Sequence, residues 1–152
     1  MPLVRFCKGW PNIMFISLMS AIYSFIFIFT SDHIEFLRIL SKTTIASDFW
    51  NGWSNFIRAG NLKYIGYLII VLTVLIVLSV IFNPQKKYGE YQVSVLSKSF
   101  IIAGIIAILI APVMMVLLLS DPSYEVEIIL LFAVVEWLSV LITNLIFVIK
   151  YR

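Results

Sequence analysis

The chain has 152 residues, 62% of them hydrophobic and 12% charged, with net charge +3 and mean hydropathy +1.05. Soluble domains carry about 25% charged residues, so there is too little polar surface here to coat a water-soluble globule of this size. The single cysteine, Cys7, excludes an internal disulfide. The basic residues sit in short clusters beside apolar runs, a pattern of membrane topology rather than of direct nucleic-acid binding.

The first apolar run, 13–30, is long enough to span a bilayer, which takes about 20 residues. It is longer than a signal-peptide core and no small-x-small cleavage site follows it, so it reads as an uncleaved signal anchor. Ser17, Ala21 and Ser24 offer it one face of small residues. Cys7, ahead of this run, reads as an idle thiol, with acylation as the alternative.

The connection 31–63 is too long to be slack, because structureless loops of that length are uncommon. Asp32 and Glu35 have the spacing of a capping box, opening a short segment with Phe36, Leu37 and Leu40. After Asp48, the residues Phe49, Trp50, Trp53, Phe56 and Ile57 form one helical stripe, and Gly60 supplies a stop. That stripe predicts an amphipathic interfacial helix on the outer leaflet, or a docking surface for a partner or ligand. His33, the only histidine, reads as a solvated loop residue, with a pH-sensing role as the alternative.

The second run, 64–82, contains Thr73 and is stopped by Asn83-Pro84. The connection 83–98 presents Lys86, Lys87, Tyr88 and Tyr91, which suit anionic lipid headgroups or a soluble cytosolic partner. In the third run, 99–119, Ser99, Ala103, Ala107 and Ala111 form a ladder at i+4 steps that lets another helix approach closely. Pro112 leaves the carbonyl of Ile108 without its helical donor. Asp121-Pro122 then turns the chain.

The fourth run, 128–149, holds a carboxylate, Glu136, near its middle. A charged acid at that depth costs at least about 2.5–3.5 kcal/mol, so hydrocarbon favours its protonated form. Glu136, Ser139 and Thr143 share a helical face with Asn144 at its edge, and Thr73 lies at similar depth in the second run. Three readings stay open: a neutral hydrogen-bonded acid that fixes helix register, a pore-lining or proton-carrying carboxylate, or a charge paired with a partner subunit.

With four spans the two termini and the connection 83–98 share one side. That side has seven basic residues (Arg5, Lys8, Lys86, Lys87, Lys98, Lys150 and Arg152) against four (Arg38, Lys42, Arg58 and Lys63) on the other. The last outer connection has Asp121, Glu125 and Glu127 and no Lys or Arg. The positive-inside rule places both termini in the cytosol of a plasma membrane. A nucleophile–base pair, a metal cluster or a phosphate loop is not legible, so the chain reads as neither an enzyme nor a cofactor binder.

The expected fold is therefore an all-α, four-span transmembrane bundle in one domain, with an amphipathic helix in the first outer connection. In size and layout it resembles the membrane subunit of the bacterial Kiwa anti-phage system. That resemblance rests on four short spans, cytosolic termini and the absence of catalytic residues, and implies a soluble DNA-binding effector as partner. The layout is similar also to four-span immunity proteins that neutralise pore-forming bacteriocins. The preferred expectation is a self-associating inner-membrane scaffold or sensor that couples an envelope signal to a cytosolic protein. An ion or proton channel built around Glu136 is the competing class.

Overall fold

Apolar runs of this length have one way to satisfy their backbone in hydrocarbon without neighbours, which is to become helices. The computed structural model describes residues 11–33, 38, 40, 47–82 and 89–150. Among them, helices α1 (Pro11–Ser31), α2 (Asp48–Arg58), α3 (Leu62–Ile81), α4 (Gly89–Ser120) and α5 (Glu125–Lys150) follow in chain order, with a 3-10 turn at Pro122–Tyr124. No strand occurs among the described residues. Four of the helices, α1, α3, α4 and α5, are long and apolar enough to cross a membrane.

Local chemistry sets the ends. Pro11 opens α1, at a position where a missing N–H costs nothing. Ser47 caps α2: its hydroxyl accepts from the Trp50 N–H at 3.5 Å. Gly60 closes α2 in the left-handed region at φ 73°. The Gly60 N–H donates to the Ile57 carbonyl and the Asn61 N–H to the Phe56 carbonyl, the paired bonds of a Schellman stop. Glu125 and Glu127 lie in the first turn of α5 and Lys150 in its last, each matched to the helix dipole.

The long helices extend beyond their apolar runs, α4 the furthest. α4 starts ten residues before Ser99, so Tyr91 and Lys98 are helical rather than part of a connecting loop. Its 32 residues extend about 48 Å at 1.5 Å per residue, well beyond a hydrocarbon core of about 30 Å. Cys7, Glu35 to Leu37, Lys86, Lys87 and Tyr88 lie outside the described residues.

The four long helices form a ring in which α1 neighbours α3 and α4, and α5 neighbours the same two. Asn12 at the start of α1 meets Asn144 near the end of α5, and Asn144 meets Ser99 in the first half of α4. α1 and α4 thus run parallel, and α5 runs against both. α3 runs against α1, because Gly66 in its first turns packs on Ser24 and Ile28 near the end of α1. The shared core contains Ile16, Phe27, Ile69, Ile76, Val140 and Leu141. The outward faces are apolar too: Phe25 is 66% exposed, Ile108 74% and Leu119 85%. An exterior of that kind suits lipid rather than water.

Candidate functional site

The polar side chains of the interior fall into three layers along the bundle axis. At one end lies an amide cluster. Asn12 and Asn144 exchange two hydrogen bonds: the Asn12 amide donates to Asn144 Oδ1 at 3.0 Å, and the Asn144 amide donates back to Asn12 Oδ1 at 2.8 Å. Asn144 Nδ2 also donates to Ser99 Oγ at 3.1 Å, and that hydroxyl donates to the Val95 carbonyl at 2.8 Å. All three polar residues are buried. Two turns before Ser99, on the same face of α4, Gln92 is fully buried with neither its amide nitrogen nor its oxygen partnered. The Tyr91 hydroxyl donates to the Val148 carbonyl at 3.4 Å, joining the same end of α4 to α5.

In the middle layer Tyr23 stacks on Trp137. Ser20 and Ser24, one turn apart on α1, are buried beside it in sequence, and neither hydroxyl has a hydrogen-bond partner; nor has the Trp137 indole nitrogen.

At the opposite end α2 lies over the start of α5. Trp53 Nε1 donates to the Glu127 carbonyl at 2.9 Å. The Tyr124 hydroxyl donates to Asn51 Oδ1 at 2.5 Å, and the Trp50 and Tyr124 rings stack at 6.1 Å. Trp50, Tyr124 and Ile128 form a second small core at this end. Glu127, read from sequence as an acid in an outer connection, is fully buried here.

The predicted intramembrane set does not assemble as one site. Asn144 turns into the interior, whereas Glu136, Ser139 and Thr143 lie half-buried on the flank of α5. The Ser139 hydroxyl donates to the Glu136 carbonyl at 2.7 Å, and the Thr73 hydroxyl to the Ile69 carbonyl at 2.8 Å, so both are satisfied within their own helices. Pro112 and Ile108 are both exposed on α4.

The small-residue ladder divides. Ser99 and Ala103 are buried, Ala107 is half-buried and Ala111 exposed. In α1, Ser24 is buried but Ser17 is half-buried and Ala21 exposed; the inward stripe runs through Asn12, Ser20, Ser24 and Ser31 instead.

The aromatic stripe of α2 divides too. Trp50 and Ile57 point inward, Trp53 and Phe56 are half-buried and stacked at 5.4 Å, and Phe49 is 63% exposed. α2 is therefore docked on the bundle by its tryptophans. Tyr91 is half-buried against α5. His33 is exposed, its ring 5.5 Å from that of Phe29.

Sequence reasoning passed over Asn12, Gln92 and Trp137. Asn12 precedes the first apolar run and Gln92 the third, so both read as flanks. Only the helix extending past the run reveals them as interior. No group of three metal-ligating side chains occurs among the described residues.

Fold and site together define a class: an all-helical chain with four candidate membrane spans and hydrogen-bonded amides inside the bundle. Compared with protein-family models, with curated proteins and with solved structures, the chain matches none.

Proposed function

We propose that this protein is a non-enzymatic membrane scaffold or sensor in which α5 couples events on α2 to the opposite face of the bundle. One observation carries the reading. α5 is tied by side-chain hydrogen bonds to α2 at one end, through Trp53 and the Glu127 carbonyl, and to α1 and α4 at the other, through Asn144. Rigid elements and hydrogen-bond networks are among the routes by which coupling travels between distant sites. The excess of basic residues at the termini and in 83–98 orients the α2 end outward and the amide end toward the cytosol.

The bundle interior favours this class over a channel within one chain. Its axis is filled by Ile16, Phe27, Ile69, Ile76 and Leu141, and by the Tyr23–Trp137 stack. Self-association belongs to the same reading. The second half of α4 has no buried residue after Ala103, and Ala107 and Ala111 give it a surface on which a second copy packs closely.

The test perturbs one end and reads the other. Trp53→Phe removes the bond to Glu127 and leaves an aromatic ring in place. With the protein in lipid nanodiscs, backbone hydrogen exchange around Ser99 and Asn144 is expected to quicken by several-fold. Unchanged exchange there, with quickened exchange confined to α2 and the first turn of α5, rejects the relay.

A further inference from the structure

The inner stripe of α1 is polar where a bundle helix is normally apolar. Of its six buried residues, four are Asn12, Ser20, Ser24 and Ser31, while Leu18, Phe25 and Phe29 face outward. Polar groups at such a position face protein or water, because lipid cannot satisfy them.

Other helix hydroxyls of this protein show where a serine or threonine commonly donates. Thr30 donates to the Ile26 carbonyl, Ser31 to Ile28, Thr73 to Ile69, Ser99 to Val95 and Ser139 to Glu136. Each closes on its own helix three or four residues back. Ser20 and Ser24 do not; both are buried and both hydroxyls are unpartnered. A third unpartnered group, Trp137 Nε1, comes from α5 across the bundle.

By helix rise, Ser20 and Trp137 lie at nearly one level and Ser24 one turn beyond Ser20. Asn12 and Asn144 are bonded, which fixes a common level on α1 and α5. From that level Ser20 is about 12 Å along α1 and Ser24 about 18 Å, while Trp137 is about 10.5 Å along α5, at 1.5 Å per residue. The stack of Trp137 on Tyr23, which lies between the two serines in sequence, brings the indole to the same height. Residues four apart on a helix have Cβ atoms about 5–6 Å apart, a gap that one water closes with two hydrogen bonds of about 2.8 Å.

We propose that Ser20, Ser24 and the Trp137 indole form a buried water-binding site in the middle of the bundle. A water at this position has three partners, within the two to four that buried waters normally make. It accepts from Trp137 Nε1 and exchanges hydrogen bonds with the two hydroxyls. The ligand is water rather than an ion, because the three groups are neutral. This site is independent of the relay through α5.

The experiment is NMR of the full chain in lipid nanodiscs, with indole ¹⁵N labels and the Trp137 signal assigned by its loss in Trp137→Phe. A direct cross-peak between water and the Trp137 indole proton is expected in the wild type. Ser20→Ala/Ser24→Ala is expected to abolish it and to lower Tm, as bridged hydrogen bonds are lost. Absence of the cross-peak in the wild type overturns the site. So does a cross-peak that survives the double substitution undiminished. A dry layer predicts the opposite stability change, with Tm rising as two unpaired hydroxyls are removed. If the double variant does not fold, Ser20→Ala and Ser24→Ala singly carry the same comparison, each expected to weaken the cross-peak.

Discussion

Tyr23 of α1 and Trp137 of α5 stack with ring centroids 4.8 Å apart and planes 7° from parallel, although their helices lie diagonally opposite in the ring. This contact and the Asn12–Asn144 pair both bridge the diagonal. Truncating a buried Trp to Ala costs about 3–5 kcal/mol through lost burial and the cavity left behind. Trp137→Ala is expected near the upper part of that range, because a stacked ring adds about 0.5–1.5 kcal/mol. Trp137→Phe should retain most of the stability. Reversible unfolding in mixed micelles checks both, and a loss under about 1 kcal/mol for Trp137→Ala contradicts a packed centre.

Gly66 sets the approach of α3 to α1. A Cβ built at Gly66 meets Ile28 Cγ1 at 2.7 Å and the Ser24 carbonyl oxygen at 3.2 Å. The first clash involves the γ1 methylene of Ile28, one bond from its branch point, and the second a backbone atom that cannot step aside alone. Gly66→Ala is expected to destabilise by about 1–3 kcal/mol through overpacking. Gly104→Ala serves as the control, since a Cβ there meets nothing within 4 Å. Equal Tm values for the two variants contradict the close α1–α3 contact.

The Asn12–Asn144 pair predicts a non-additive double substitution. Asn144→Leu leaves the Asn12 amide and the Ser99 hydroxyl without it, and a buried unsatisfied polar group costs about 1–3 kcal/mol. Replacing both asparagines removes the orphan along with its partner. Asn12→Leu/Asn144→Leu is therefore expected to be more stable than Asn144→Leu alone. If the double variant instead loses the full sum of the single losses, the pair is not coupled.

The divided ladder on α4 separates folding from self-association. Ala103 is 2% exposed in the core, whereas Ala111 is exposed. Ala103→Phe is expected to disrupt the bundle itself. Ala111→Phe should leave its stability unchanged while reducing the mass of the particle, measured with bound detergent subtracted. A wild-type particle that is monomeric in both mild detergent and nanodiscs removes the self-association claim.

The four long helices were legible because apolar runs of that length have few other structures available, and Asn83-Pro84 and Asp121-Pro122 marked two of the connections. The interior face of each helix was much less legible. In α1, Phe25 and Phe29 face out and Ser20 and Ser24 face in, so the apolar periodicity that marks a core in a soluble helix carries little information. Glu136 drew attention as the one acid deep in an apolar run, yet it lies half-buried on a flank. Asn144, at the edge of that predicted face, is the residue that joins three helices. Which amide meets which follows from how the helices are arranged around the ring, and that is a tertiary property. The α2 stripe was visible as a stripe, but its inward anchors, Trp50 and Ile57, are set by Tyr124, Ile128 and the bundle core.

The central claim is that α5 couples its two ends, and a double-mutant cycle between Trp53→Phe and Asn144→Leu tests it most directly. Glu127, which accepts from Trp53, and Asn144 are separated by about 25 Å along α5 at 1.5 Å per residue. Substitutions so far apart, without a shared partner, add to within about 0.3–0.5 kcal/mol. If α5 transmits displacement, the unfolding free energies in nanodiscs are expected to show a coupling energy above about 0.5 kcal/mol. Strict additivity means that the two ends respond independently and contradicts the relay.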